Sequence, residues 1–354
     1  MDINKRISAF VELGIFLGQF GTNTKHNNEL NAAYYEPFQE LIKETFYYNG
    51  WFTENNVHYA IKSWSEALTR ANLDTFTSNY KEQLLTPLKP RNIGVIMAGN
   101  IPLVGFHDFI MVLLSGHHLI AKLSSTDSLL LPYLAKVLIA IEPLFESKII
   151  FTESKIKNID AIIATGSNNS ARYFDYYFAK YPHIIRKNRN SVAVLTGKET
   201  KNTLVELGAD IFHYFGLGCR NVSKLFIPQG YQLDVFFEAI YPHATVLENK
   251  KYANNYEYNR VIYLMGGASI LDNNFVLLKE DIALAAPVGV INYEYYTTLT
   301  DVKERLRMDK DNIQCIVAEK ELIKGAIPFG TTQHPQLWDF ADGVDTMDFL
   351  LHLA

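Results

Sequence analysis

The chain has 354 residues, of which 48% are hydrophobic and 20% charged, and its net charge is −5. The length predicts two domains that each bury a core of their own. The mild charge, without a run of Lys and Arg, excludes nucleic acid as an expected partner, and no apolar run reaches the ~18 residues that a membrane span needs.

The N-terminal segment "MDINKRISAFVELGIFLG" contains an apolar stretch that Glu12 interrupts, so we expect a helix there and no signal peptide. The two cysteines, Cys219 and Cys315, are too few for a disulfide framework and indicate a reducing cytoplasm. The histidines have no metal-like spacing to cysteines or carboxylates, and we expect no metal site.

Residues 1–85 are predicted to be helical, and two prolines in "TPLKPRN" end this region. "RNIGVIMAGN" then reads as a buried strand. "IPLVGFHDFIMVLLSG" reads as a helix with Pro102 near its first turn and Gly116 at its end, and "HHLIAKL" as a second strand. Strand, helix and strand in this spacing predict a βαβ unit with parallel strands.

The alternation continues to the end of the chain. "SKIIFTE", "IDAIIATGS" and "SVAVLTGK" are predicted strands, and "TKNTLVELGADIFHYFG" is a predicted helix that stops at Gly216. The fold class is therefore α/β, with two α/β domains, open and mostly parallel sheets, and a cleft between the domains. We expect a first domain over 1–198, a second over 199–328 that carries Cys219, and a segment 329–354 that returns to the first.

Cys219 is the first candidate for chemistry. A lone cysteine is often an inert core residue, as Cys315 in the alternating run "NIQCIVAE" is expected to be. Gly216 and Gly218 instead allow a tight turn before Cys219, and Arg220 would favour its thiolate.

Two turns that follow predicted strands are further candidates. Asn100 in "MAGNIP" either caps the next helix or donates a hydrogen bond to an oxyanion. "ATGSNNSAR" opens a helix, where Ser167 and backbone N–H groups are placed to hold a phosphate, although a Gly-Ser turn before a helix is also common without one. Lys122 at a strand end is by itself a solvated charge, and the chain has no GxGxxG fingerprint.

In order and spacing these motifs resemble the aldehyde dehydrogenase superfamily from about Ile93 to Ala354, closest to its long-chain acyl-CoA reductase branch, whose known member makes aldehyde for bacterial luciferase. "GLGC" stands where that superfamily has Gly-Gln-x-Cys, which implies that Cys219 is the nucleophile. "AGNIP" stands for Pro-Trp-Asn-Phe-Pro, which implies that Asn100 forms the oxyanion hole.

The resemblance also implies a nicotinamide cofactor. "AKLSS" replaces Val-Lys-Pro-Ser-Glu and lacks the carboxylate that would hold a free ribose 2′-hydroxyl, which favours NADPH over NADH. "EDIALAAPVG" replaces Glu-Ile-Phe-Gly-Pro, and either of its acidic residues could hold the nicotinamide ribose. The implied cofactor contacts are Lys122, Ser124, Ser125, Thr165, Gly166, Ser167, Glu280 and Asp281.

Hydrolytic members of the superfamily carry a general base in Glu-Leu-Gly-Gly-Lys. "VLTGK" places Val194 at that position, and a valine cannot activate water, so the resemblance favours reduction of an acyl-CoA or other acyl thioester to an aldehyde. Two alternatives stay open: oxidation of aldehyde to acid with another base, and an acyl-binding or acyl-transfer scaffold without hydride chemistry. The resemblance also suggests a homodimer and allows an acyl-donating partner enzyme.

Overall fold

The computed structural model describes residues 1–22, 25–86 and 89–353, so Pro87 of the predicted proline boundary lies outside the described residues. The chain forms two compact units. The first comprises Met1–Lys187 and Gln336–Ala354, and the second Asn188–Pro335. No helix within the described ranges is long and apolar enough to cross a membrane.

The first unit begins with helices and continues as an alternating α/β region, as the sequence predicts. Its helices are α1 (Ile3–Thr22), α2 (Glu29–Tyr48), α3 (Glu54–Ala67), α4 (Arg70–Ser78), α5 (Lys81–Leu85), α6 (Phe106–Ser115), α7 (Leu130–Ile141), α8 (Asn168–Phe178) and, from the C-terminal segment, α13 (Thr346–Leu351). Its strands are β1 (Asn92–Ile96), β2 (His118–Lys122), β3 (Ile149–Phe151), β4 (Ala161–Thr165) and β5 (His183–Arg186).

Local sequence explains where the early helices start. The side chains of Asn28, Thr53 and Thr69 each accept a hydrogen bond from the backbone N–H three residues further on, at the starts of α2, α3 and α4. Such caps satisfy N–H groups that have no partner inside the helix. The apolar faces of these helices then bury a common core, in which Phe10 and Leu13 of α1 are fully buried.

The first sheet has five parallel strands in the order β3-β2-β1-β4-β5. Strands β1 and β2 pair with Ile93 opposite Leu119, which confirms the predicted βαβ unit. Strand β1 lies between β2 and β4, so the chain fills the sheet to one side of β1 and then to the other. Such a reversal of strand order is where open α/β sheets bind ligands, at the carboxyl ends of the strands.

Helix α6 starts later than the sequence predicts. Residues 101–105 form turns, and α6 begins at Phe106 rather than near Pro102. Leu103 has a left-handed φ of 58°, and its N–H donates to the Asp127 carboxylate at 2.9 Å. This long-range contact interrupts the helix, because a left-handed residue cannot continue a right-handed helix.

A buried ion pair ties three elements of the first unit together. The Arg186 Nη1 at the end of β5 lies 2.6 Å from Asp108 Oδ2 in α6, and both side chains are at least nine-tenths buried. The Arg186 Nη2 also donates to the Thr346 hydroxyl at 2.9 Å, at the start of α13. The pair therefore attaches the C-terminal segment to the sheet.

Asp108→Ala is expected to destabilise the protein by about 3–5 kcal/mol, because it leaves the Arg186 guanidinium buried without its counter-ion. Urea denaturation measures this loss. The exposed pair Lys187–Asp175, with N and O atoms 3.5 Å apart, provides the control. Asp175→Ala should cost less than about 1 kcal/mol, and equal losses in the two variants would contradict the assignment.

The second unit carries a six-stranded sheet in the order β11-β6-β7-β10-β9-β8, in which only the β8–β9 pair of the described strands is antiparallel. Its strands are β6 (Asn190–Val194), β7 (Val222–Pro228), β8 (Ile270–Asp272), β9 (Leu277–Glu280), β10 (Val290–Tyr296) and β11 (Ile313–Val317). Its helices are α9 (Lys201–Phe212), α10 (Leu233–Ile240), α11 (Lys250–Met265) and α12 (Leu299–Met308).

The boundary between the units differs from the sequence-based one. From the sequence, residues 190–194 are predicted to belong to the first domain, but β6 pairs with β7 and β11 in the second sheet. An apolar run predicts a buried strand without indicating which sheet it joins, since strand pairing depends on distant residues.

Candidate active site

The predicted cofactor residues of the first unit lie at one edge of its sheet. The carboxyl ends of parallel neighbours lie at the same edge, and β1, β2 and β4 are parallel neighbours. The strand ends and the loops that follow them carry Asn100, Lys122, Ser124, Ser125, Thr165, Gly166 and Ser167. The structure therefore brings these seven residues to the edge where the strand order reverses.

The loops after β1 and β2 are in direct contact. The Thr126 hydroxyl donates to the Gly99 carbonyl at 2.8 Å, and the Ser124 and Thr126 hydroxyls are 2.8 Å apart. A Cβ on Gly99 would come within 2.6 Å of both side chains, so this approach requires glycine. Lys122 is half-buried and Ser125 is exposed.

Asn100 is exposed in the loop after β1. Helix α6 has Gly105 as its N-cap, without a side-chain hydrogen bond. Asn100 therefore does not cap that helix.

The turn between β4 and α8 fits the phosphate interpretation. The Ser167 hydroxyl caps α8 by accepting the Ser170 N–H at 3.2 Å. A Cβ on Gly166 would lie 2.8 Å from the Ser170 Cβ and 3.0 Å from the Phe174 ring, so a side chain here would displace the helix. The start of α8 also carries partial positive charge and further N–H donors, which is the arrangement that binds a phosphate in other proteins.

Asp127 is a further residue of this edge, and the sequence does not predict it as a site residue. It is 8% exposed, its Oδ2 accepts the Leu103 N–H at 2.9 Å, and its Oδ1 is buried without a hydrogen-bond partner. Burial raises the pKa of Asp127 to about 7, against the opposing effect of the Leu103 N–H. The single carboxyl group within "SSTDS" was the sequence signal for it.

Asp127→Asn is expected to remove a pH dependence of stability. A carboxyl group whose pKa is raised in the folded state stabilises the fold fully below its unfolded pKa of 3.8, and this contribution is lost as the pH rises through about 7. The loss amounts to about 1.4 kcal/mol for each pH unit in that window. Urea denaturation between pH 5 and 8 should show the stability of Asp127→Asn rising relative to wild type, whereas a constant difference would contradict the assignment.

Cys219 lies in a tight turn of the second unit, directly before β7. The Asn221 N–H donates to the Gly218 carbonyl at 3.0 Å, so Cys219 and Arg220 are the two central residues of the turn. The Cys219 side chain is exposed, whereas Cys315 on β11 is buried, as the sequence predicts for the latter.

The chain enters this turn through a left-handed stretch. The sequence predicts a helix up to Gly216, but α9 ends at Phe212, and Tyr214, Phe215 and Gly216 have φ values of 51°, 58° and 76°. Left-handed conformations cost about 1–3 kcal/mol for a residue with a side chain and persist only where the surroundings fix them. The apolar residues keep a helical spacing up to Phe215, so the sequence pattern does not predict that the helix ends at Phe212 and is followed by left-handed residues.

Polar contacts hold the turn on two further sides. The Ser191 hydroxyl, buried on β6, donates to the Cys219 carbonyl at 3.0 Å. The Arg220 Nε donates to the Thr332 carbonyl at 2.7 Å, and the Thr332 N–H donates to the buried Asp210 carboxylate at 3.0 Å. The sequence suggested Arg220 as an electrostatic neighbour of the thiol, and the structure adds an anchoring contact for its guanidinium.

The position of Val194 differs from the sequence-based prediction. Val194 pairs with Phe226 near the carboxyl end of the β6–β7 pair, whereas Cys219 precedes Val222 at the amino end. Ser191, opposite Val222, is the β6 residue that contacts the Cys219 turn. The motif match therefore assigned Val194 to the wrong end of the strand, and the valine does not by itself explain a missing base.

The two predicted acidic residues after β9 have different surroundings. Asp281 forms an ion pair with Lys279, which lowers its pKa, and it accepts the Ala283 N–H at 2.9 Å. Its carbonyl accepts a hydrogen bond from Lys224, a fully buried lysine of β7. Glu280 is exposed at the end of β9. Of the pair, Glu280 is thus the one whose side chain is better placed to meet a ligand.

The fold is that of aldehyde dehydrogenases. The chain is similar to an NAD-dependent aldehyde dehydrogenase from Sinorhizobium meliloti (TM-score 0.63, 11% identity, 90% of this chain and 70% of the other). It is also similar to an NAD-dependent benzaldehyde dehydrogenase from Corynebacterium glutamicum (0.64, 11%, 91% and 78%). A third similar structure is a Mycobacterium tuberculosis aldehyde dehydrogenase complexed with NAD+ (0.59, 15%, 89% and 74%).

The family is more specific than the fold. Residues 23–240 match the acyl-CoA reductase (LuxC) family, and the chain belongs to that family. This confirms the resemblance drawn from the motifs. No curated protein sequence matches the chain. Family and fold together define an oxidoreductase that acts on aldehyde or acyl groups.

Proposed function

We propose that the protein reduces an acyl-CoA or related acyl thioester to an aldehyde with NADPH, through an acyl thioester on Cys219. The observation that carries the proposal is the exposed Cys219 thiol in a turn that hydrogen bonds hold in place, in a chain of the acyl-CoA reductase family. A cysteine that only fills the core is buried, and its role does not depend on a turn that holds the thiol in place.

In the first half of the reaction the Cys219 thiolate attacks the thioester carbonyl. A tetrahedral oxyanion forms and accepts hydrogen bonds from two donors, the Cys219 backbone N–H and the Asn100 side-chain amide. The intermediate collapses as the C–S bond to the carrier breaks, so the carrier thiol leaves and the acyl group stays on Cys219.

In the second half the acyl-Cys219 carbonyl is reduced. When bound, a reduced nicotinamide supplies the hydride for this step. The same two donors stabilise the oxygen of the resulting thiohemiacetal, whose collapse breaks the C–S bond, releases the aldehyde and returns Cys219 to the thiolate. One acyl thioester, one hydride and one proton thus give one aldehyde and one thiol.

We assign the binding of the nicotinamide dinucleotide to the carboxyl edge of the first sheet. Close packing at Gly99 and Gly166 and the start of α8 suit a dinucleotide, whose phosphates need backbone N–H donors and close approach to the chain. The half-buried Lys122 and the exposed Ser125 would meet the ribose. The nearby carboxyl group, Asp127, is buried and bonded to Leu103, so it does not oppose a 2′-phosphate from the surface. This favours NADPH.

Two carboxylates of the second unit already accept hydrogen bonds on both oxygens, which supports reduction of the acyl intermediate over its hydrolysis. Asp210, next to the Cys219 turn, accepts the Gly330 and Thr332 N–H groups, one on each oxygen. Glu199, after β6, accepts the Thr196 N–H and hydroxyl on one oxygen and the Gly197 N–H on the other. A carboxylate that is engaged in this way is a poor general base for water.

The test is the loss of NADPH absorbance on addition of acyl-CoA, with aldehyde identified as product. NADPH turnover should depend on acyl-CoA and give aldehyde and free CoA in equal amounts. With NADH, kcat/KM for the cofactor should be at least about tenfold lower than with NADPH. The reason is that a hydrogen bond to the 2′-phosphate that contributes ~1.4 kcal/mol changes affinity by a factor of ten. Equal use of both cofactors would contradict the NADPH assignment. Oxidation of aldehyde to free acid without CoA, and no reduction of acyl-CoA, would select the dehydrogenase alternative.

A further inference from the structure

Asn221, two residues after Cys219, has every part of its side-chain amide engaged. The residue is 3% exposed. Its Oδ1 accepts the Gly218 N–H at 2.8 Å, across the turn that carries Cys219. Its Nδ2 donates to the carbonyls of Asp210, Ile211 and His213 at 3.0, 3.3 and 2.9 Å.

These contacts link the turn to the end of α9. The last carbonyls of a helix have no partner within it and must be satisfied from outside. The Asn221 NH2 group donates to two carbonyls of the last turn of α9, those of Asp210 and Ile211, and to the carbonyl of the C-cap residue His213. These bonds lie where the chain enters the left-handed conformations of Tyr214 and Phe215. A strained segment of this kind keeps its conformation only while such contacts hold it.

The other anchors of the turn come from different parts of the second unit. Ser191 on β6 holds the Cys219 carbonyl, and Thr332 holds the Arg220 side chain. These bonds fix the backbone of the turn and involve the Cys219 carbonyl rather than its sulfur. The arrangement is therefore a rigid support for an exposed thiol, with Asn221 at its centre.

We propose that Asn221 is the positioning residue for the Cys219 nucleophile, and that Ser191 supports it from β6. This inference rests on the proposed function, because it takes Cys219 as the group that attacks the thioester. The amide of Asn221 fixes the position and direction from which the Cys219 thiol attacks the thioester, and it does not itself contact the substrate. Displacement of a reacting group by about 1 Å can lower a rate by about 10²-fold.

The test compares two reactions of Cys219 in Asn221→Ala by intact-mass spectrometry without cofactor. Acylation by acyl-CoA should slow by about 10- to 100-fold, because it requires aligned attack. Alkylation by iodoacetamide requires only an accessible thiol and should stay within about threefold of wild type. In steady state, kcat should fall while KM changes by less than about threefold.

The matched control is Asn259→Ala. Asn259 is also a buried amide of the second unit, 8% exposed, and its Nδ2 donates to the Asn255 and Val288 carbonyls at 2.9 and 3.0 Å. Loss of its bonds should lower the melting temperature as Asn221→Ala does, with acylation unchanged. An equal loss of acylation in both variants would show that Asn221 has only a structural role.

Ser191→Ala keeps the test decisive if Asn221→Ala does not fold, because it removes one hydroxyl and leaves α9 untouched. A three- to tenfold slower acylation is expected, and an unchanged rate would overturn the inference. If wild-type protein is not acylated by acyl-CoA at all, the proposed function fails first. Normal acylation of wild type and of the variants overturns the positioning role alone.

Discussion

Cys219→Ala is expected to abolish acyl-CoA reduction, with a loss in kcat of at least about 10³-fold, because it removes the thiolate that we propose as the carrier of the acyl intermediate. The variant should fold normally, since the side chain is exposed and the anchoring bond from Ser191 goes to the backbone carbonyl of residue 219. NADPH consumption and intact mass are the two readouts, and the variant should form no acyl adduct.

Cys315→Ala is the matched control for this prediction. Cys315 is 7% exposed on β11, and its contact with the Ser191 hydroxyl is made by the backbone N–H, which alanine retains. The loss of one buried sulfur should cost stability but leave kcat within about twofold, so a comparable loss of activity would indicate a structural cause for both. An acyl adduct that persists in Cys219→Ala would contradict the nucleophile assignment.

Asn100→Ala is expected to lower kcat by about 10²–10³-fold with little change in KM, as removal of an oxyanion donor does. Asn100 is exposed and does not cap α6, and the melting temperature of the variant separates a loss of the fold from a loss of catalysis. Asn100→Asp should be at least as impaired, because it replaces an N–H donor with a negative charge near the developing oxyanion.

Asn27→Ala serves as the control for Asn100, because Asn27 is an exposed asparagine of the same unit outside helices and strands. It should have wild-type kcat and KM. If Asn100→Ala instead raised KM with unchanged kcat, Asn100 would contribute to uniform substrate binding and not to the transition state.

Much of the fold could be predicted from the sequence because its signals are local. Compact apolar runs such as that of β1 gave the buried strands, and the spacing of β1, α6 and β2 gave their parallel pairing. Helix α7 and strand β5 were not predicted. The four residues of β5 are too few for a periodic signal. Helix α7 has Lys136 as its one charged residue, and a short apolar run of this kind does not distinguish a buried helix from a strand.

The errors at helix ends arise from contacts between distant residues. The start of α6 depends on the Asp127 carboxylate, 24 positions after Leu103. The end of α9 depends on the Asn221 amide, which lies beyond the turn. The helix propensity of a short stretch of sequence takes no account of contacts with residues outside that stretch. Both helices are therefore predicted to be longer than they are.

For the candidate site, the sequence identified residues whose position follows from one strand end, such as Asn100 and Ser167 at the carboxyl edge of the first sheet. It missed Asp127, Ser191 and Asn221, because their importance lies in bonds to backbone groups elsewhere in the chain. Val194 was wrong for a related reason. A motif fixes spacing along the chain, but the register of β6 on β7 decides which residue lies beside Cys219.

The central claim is that the acyl group is held on Cys219 and leaves it as aldehyde. A single-turnover chase tests this directly. Protein acylated by a radiolabelled acyl-CoA, freed of excess substrate, is mixed with NADPH in one portion and with buffer alone in another. The account predicts that the label leaves the protein as aldehyde in the NADPH portion and stays bound as a thioester in buffer over the same time. Release of the label as free acid at equal rates in both portions would contradict it.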